Sequence, residues 1–107
     1  MQQFMIRYQT KPGQAALNEE LVRAVFAELD GSRPAGLSYA TFKLADQVTF
    51  VHLVQASARP TPLVEVKAFA EFQKDTGSRF QQPPVTEDLT LIGSYRMFHN
   101  DGDATPR

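Results

Sequence analysis

The feature that most restricts this chain is a change of hydrophobic period, from two residues to about 3.6 and back, made twice. From Gln3 to Thr10, Phe4, Ile6 and Tyr8 alternate with Met5, Arg7 and Gln9, the spacing of a strand whose two faces differ. Lys11-Pro12-Gly13 interrupts the pattern, and proline just ahead of a periodic stretch is a common helix opening, because its missing N–H would be unpaired there anyway. Between Gln14 and Asp30, Leu17, Leu21, Val25 and Leu29 recur every four residues, and Val22 and Phe26 widen that stripe. This predicts an amphipathic helix, stopped by Gly31 and Pro34.

Period two returns over Gly36–Leu44 and again over Val48–Gln55, with Ala45-Asp46-Gln47 between them, so an antiparallel hairpin is expected. Thr61 can then cap, and Pro62 can open, a second helix running to about Asp75. Leu63, Val66, Phe69 and Phe72 supply its apolar residues, and Gly77 ends it. Beyond Pro83-Pro84 a last strand is expected over about Leu89 to Phe98. The order is strand, helix, strand, strand, helix, strand: an α+β, ferredoxin-like βαββαβ plan with a four-stranded antiparallel sheet. The 107 residues suit one domain, expected over residues 1–98, with a polar, flexible tail over 99–107.

Both parities of the later strands are apolar. Val48, Phe50 and Val54 point one way and Val51 and Leu53 the other, while Leu91, Tyr95 and Met97 oppose Ile92 and Phe98. Two helices cover one sheet face, and the second face should be polar if it meets water. Each large side chain left exposed forgoes roughly 1.5–3 kcal/mol of burial, and a large apolar patch marks an interface. A second copy of the same sheet is the simplest cover, which predicts a homodimer.

The first strand ending in Lys11-Pro12-Gly13, the helical Glu19-Glu20-Leu21-Val22, the helical Phe69-Ala70-Glu71-Phe72 and the strand Ile92-Gly93-Ser94-Tyr95 together resemble the antibiotic-biosynthesis-monooxygenase-like proteins of the dimeric α/β-barrel superfamily. The resemblance covers most of Phe4 to Phe98 and rests on element order, so it speaks to fold more than to function. It implies two sheets packed into a barrel, with a pocket between each sheet and its helices. Some members oxidise aromatic polyketides or quinols with molecular oxygen and no metal or flavin, and others degrade haem. This chain has no Trp, a residue that both branches commonly place in the pocket. Leu63 to Asp75 contains no His, which the haem branch needs there, so haem degradation is disfavoured. The activity implied is that of a cofactor-independent monooxygenase acting on a small aromatic or quinol-type substrate. The missing Trp favours the alternative, a non-catalytic dimeric barrel that binds a small apolar ligand or a protein partner.

Among candidate site residues, His52 shares the parity of Phe50 and Val54. With a pKa near neutrality it can serve as a general base, although a buried His hydrogen-bonded to a neighbour is the commoner occurrence. Tyr8, Tyr39 and Tyr95 fall on three expected strands; each could orient a carbonyl or hydroxyl, or simply pack with a wet tip. Arg7 and Arg96 fall on the first and last strands, neighbours in this topology, where two guanidiniums could hold a carboxylate or enolate; such arginines more often reach the rim or pair across an interface. Gly93 inside an apolar strand points to a bulge or a close backbone approach.

His52 and His99 are the only histidines and show no ligand spacing, so no metal site is expected. With no cysteine, disulfides and thiolate chemistry are excluded. Lys plus Arg number 11 against 12 Asp plus Glu, which gives no bulk attraction for nucleic acid or an anionic membrane. An RNA-recognition module shares the βαββαβ order, but Val48–Val54 has Phe50 as its only aromatic and no Lys or Arg, unlike that module's third strand. No basic segment followed by a long apolar run opens the sequence, so no signal peptide is expected, and no stretch reaches the roughly 18 apolar residues of a membrane span. A cytoplasmic location is the expectation.

Overall fold

The structure is a computed structural model and describes residues 2–97. The expected tail, His99 and Phe98 lie outside the described residues. Four antiparallel strands form one sheet in the order β2-β3-β1-β4: β1 Gln2–Gln9, β2 Leu37–Lys43, β3 Thr49–Ala56 and β4 Val85–Asp88. Helix α1, Ala15–Ser32, and the shorter α2, Lys67–Gln73, and α3, Thr76–Arg79, complete the ferredoxin-like α+β plan.

The first half follows its sequence closely, except that α1 runs through Gly31 to Ser32 and is capped by Arg33, which takes the left-handed conformation at φ +45°. Lys11-Pro12-Gly13-Gln14 is a tight turn, with the Gln14 N–H donating to the Lys11 carbonyl and Gly13 at φ +83°, the arrangement in which Pro then Gly are favoured. The buried stripe of α1 runs through Asn18, Val22 and Val25. Leu17, expected to be apolar core, is 47% exposed. On the sheet, Phe4 and Tyr8 of β1 and Phe50, His52 and Val54 of β3 are buried beneath the helices. Tyr8 sits between Phe50 and Phe80, at centroid distances of 5.6 and 4.1 Å.

The second helix is not continuous. Thr61 does cap as expected, its hydroxyl accepting from the Leu63 N–H with Pro62 following, but the element it starts is a 3₁₀ turn over Pro62–Glu65. Val66 is extended (φ −89°, ψ 119°) and buried, so the chain restarts as α2. Its first N–H groups, on Lys67 and Ala68, donate to the two carboxylate oxygens of Glu28 on α1 (3.1 and 2.9 Å). A partner from another helix thus satisfies donors that a helix N-terminus leaves open. Asp75, at φ +56°, separates α2 from α3.

The last strand lies earlier than the sequence pattern places it. Phe80 is bridged to Thr10, which brings the chain alongside β1 already running antiparallel. β4 then pairs Val85 with Arg7 and Asp88 with Phe4, and the Leu89 N–H donates to the Gln3 carbonyl. The ladder with β1 ends there, and residues 91–97 run on past it. They form an arm without regular structure in which Ile92 is 93% and Tyr95 78% exposed, and Leu91 and Met97 are also exposed. Gly93 therefore marks no bulge, and no heavy atom lies near where its Cβ would be.

Candidate functional site

The helix-covered face of the sheet carries a pocket of about 380 Å³. Phe4, Ile6 and Val54 form its sheet wall, Leu63, Phe69 and Phe72 its helical side, and the polar groups of Tyr8, Tyr39 and His52 meet within it. β1, β2 and β3 each supply one of those three residues, because alternate residues on a strand share a face and the register sets His52 opposite Ile6 and Thr41.

His52 is 3% exposed and is held between two phenols. The Tyr8 hydroxyl lies 2.8 Å from Nε2 and the Tyr39 hydroxyl 2.5 Å from Nδ1, with Thr41 Oγ1 3.1 Å from Nδ1. Phe26 stacks on Tyr39 at 4.9 Å, and Phe72 lies 5.6 Å from the imidazole. Behind Tyr8, Asn18 Nδ2 donates to the phenolic oxygen (2.9 Å), and Arg79 Nε donates to Asn18 Oδ1 (2.8 Å). Every buried side-chain polar atom among the described residues has a hydrogen-bond partner.

Burial sets the charge states. It lowers the His52 pKa to about 4 and raises that of Tyr39 to about 12. Burial likewise raises Tyr8, partly offset by the Asn18 hydrogen bond, since desolvation disfavours whichever form is charged. At pH 7 all three are neutral. Moving a proton from an ordinary phenol, pKa about 10, to an imidazole at 4 is uphill by roughly 8 kcal/mol. At neutral pH the three groups therefore meet a ligand as neutral hydrogen-bonding partners.

The remaining candidates lie elsewhere. Arg7 is exposed on the opposite sheet face and sits across from Val51 and Val85. Tyr95 and Arg96 belong to the arm, with the Arg96 guanidinium 5.1 Å over the Tyr95 ring. The expected pairing of Arg7 and Arg96 on neighbouring strands is thus corrected, because the β1–β4 register ends the ladder before Arg96. A second, wide groove of about 1040 Å³ runs between that open sheet face, at Ala40 and Leu53, and the arm at Leu91 and Gly93, and reaches round to Phe26, Tyr39 and Val54.

Asn18 and Arg79 were not anticipated. Asn18 could have been found as the one polar residue in the stripe Asn18-Val22-Val25. Arg79, in the polar run Asp75-Thr76-Gly77-Ser78, carried no comparable signal. Among the described residues no three His, Asp or Glu side chains gather as a metal site.

Solved structures share this architecture. A structure of an antibiotic biosynthesis monooxygenase superposes with a TM-score of 0.67 at 15% identity, covering 87% of this chain and 100% of the other. The chain has the fold of the antibiotic-biosynthesis-monooxygenase-like proteins. A mutant of SnoaB, a cofactor-independent oxygenase from Streptomyces nogalater, matches at TM-score 0.63 and 11% identity, covering 89% of this chain and 96% of that one. PA3566 from Pseudomonas aeruginosa matches at 0.64 and 20%, covering 86% and 94%. No protein-family model and no curated protein matches the sequence.

Proposed function

We propose that the protein is a cofactor-independent monooxygenase-like protein that takes a small aromatic or quinol-type molecule into the helix-side pocket. The observation that carries this reading is the convergence of Tyr8, His52 and Tyr39 on a mainly apolar cavity of about 380 Å³, whose rest is lined by apolar side chains together with Thr61, Gln73, Thr76 and Thr86, a size and lining suited to a small ligand. The fold shared with a cofactor-independent oxygenase supports it. In such chemistry the substrate supplies the electrons: an activated CH₂ plus O₂ becomes C=O plus water. The protein's part is to hold the ligand oxygen in a fixed position against the polar groups of Tyr8, His52 and Tyr39.

The test is oxygen uptake with quinol and anthrone-type compounds. Consumption above the protein-free rate, lowered in Tyr8→Phe, is expected; uptake at the protein-free rate across the panel contradicts the reading. The alternative, a non-catalytic binder, draws support from the low basicity of His52. It predicts saturable binding of the same compounds without uptake.

The working form in this reading is a homodimer. Leu91, Ile92, Tyr95 and Met97 stand exposed on the arm beyond the end of β1, and a second copy's sheet and arm would cover them. No helix among the described residues is long and apolar enough to cross a membrane. With a chain that lacks cysteine, a cytoplasmic location completes the proposal.

A further inference from the structure

Arg79 is an unusual buried cation. It is 3% exposed, and its three hydrogen bonds all go to neutral oxygens: Asn18 Oδ1 at 2.8 Å, the Lys74 carbonyl at 3.0 Å and the Phe72 carbonyl at 2.5 Å. Phe72 and Phe80 present their rings 5.1 and 5.2 Å from it. A guanidinium only donates, so Asn18 must turn its oxygen toward Arg79. Its amide nitrogen is then aimed at the Tyr8 oxygen, 2.9 Å away.

The direction of every later bond follows. The Tyr8 oxygen already accepts from Asn18, and its one hydrogen has His52 Nε2 as partner at 2.8 Å. Were Nε2 protonated, the Tyr8 oxygen would have to accept twice and its hydrogen would lose the acceptor that His52 supplies, which costs about 1–3 kcal/mol where nothing in the pocket replaces it. A neutral imidazole with a bare Nε2 carries its proton on Nδ1 and donates toward Tyr39, with Thr41 close by. Donation thus runs one way, from Arg79 through Asn18, Tyr8 and His52 to Tyr39.

We infer that Asn18 and Arg79 are positioning residues that lock His52 in the Nδ1–H tautomer and commit the Tyr8 hydrogen to His52. The consequence for a ligand rests on the pocket reading above. With its hydrogen committed, Tyr8 offers the pocket a lone pair only, so the favoured ligand places a hydroxyl, phenolic or enolic, against Tyr8; a carbonyl there would meet oxygen with no proton between them.

Nitrogen-15 NMR of the His52 ring reads the tautomer directly. The unaltered protein is expected to show a protonated Nδ1 and a bare Nε2. In Asn18→Asp the carboxylate still accepts from Arg79 but has no N–H, so Tyr8 must donate to it, the Tyr8 oxygen must accept from His52, and the proton is expected to move to Nε2. A protonated Nε2 in the unaltered protein, or an unchanged tautomer in folded Asn18→Asp, overturns the inference. Should Asn18→Asp not fold, the unaltered protein's spectrum decides alone. Oxygen uptake is a separate readout: its absence alongside an Nδ1–H imidazole sinks the oxygenase reading and leaves the locked tautomer standing.

Discussion

At the scale of single residues, His52 shows how burial turns a familiar group into something else. Its pKa of about 4 lies below the ordinary 6.5 because charging it inside the pocket forfeits hydration. Between those values the unfolded chain binds a proton that the native protein does not. The stabilisation is therefore complete above pH 6.5 and lost as the pH falls through 4, on the order of 3 kcal/mol. Urea unfolding at pH 7 and pH 4 should show that fall, and His52→Gln should reduce it by about that amount. The two phenols differ in a testable way. Tyr8→Phe strands both Asn18 Nδ2 and His52 Nε2 and should cost roughly 2–4 kcal/mol in urea unfolding. Tyr39→Phe leaves Thr41 beside Nδ1 and should cost about 1 kcal/mol. Strand parity alone made His52, Tyr8 and Tyr39 visible in the sequence as candidates. Asn18 was marked only as the one polar residue of its buried stripe and Arg79 not at all, because their partnership depends on how α3 returns against α1, which no local pattern records.

At the scale of elements, β1, α1 and the β2–β3 hairpin were legible because period and turn chemistry agree in each. The split of the second helix was not, since Val66 breaks it through tertiary burial and Glu28 of α1 supplies the restart. Glu28→Ala should lower stability by about 1–2 kcal/mol, as loss of a helix cap does, measured by chemical denaturation at neutral pH. The last strand was misplaced for a different reason. Hydrophobic alternation peaks in residues 89–98, but pairing is set by where the chain joins β1, and Phe80 fixes that point by its bridge to Thr10 and its stacking on Tyr8. Phe80→Ala should cost about 3–5 kcal/mol and should also speed amide exchange in Val85–Asp88, the strand whose register it sets.

At the scale of the whole molecule, the sheet divides two environments. Beneath the helices lies the small pocket with its one-way hydrogen-bond chain, and on the other face lie the wide groove and the exposed arm. The apolar residues that the sequence places on both parities are real on both faces. The arm's share of them reaches beyond the sheet, where the proposed second copy would meet them. Sedimentation of Ile92→Asp should then show a dimer weakened toward monomer with the fold intact; an unaltered protein that is monomeric at micromolar concentration contradicts the pairing.

The central claim is that the helix-side pocket, not the open-face groove, receives a small aromatic ligand. Titration of anthrone into isotope-labelled protein reports both places at once. Saturable shifts of the His52 ring resonances, with the Leu53 methyls unmoved, are the predicted result; shifts at Leu53 and Leu91 with His52 unchanged would contradict it.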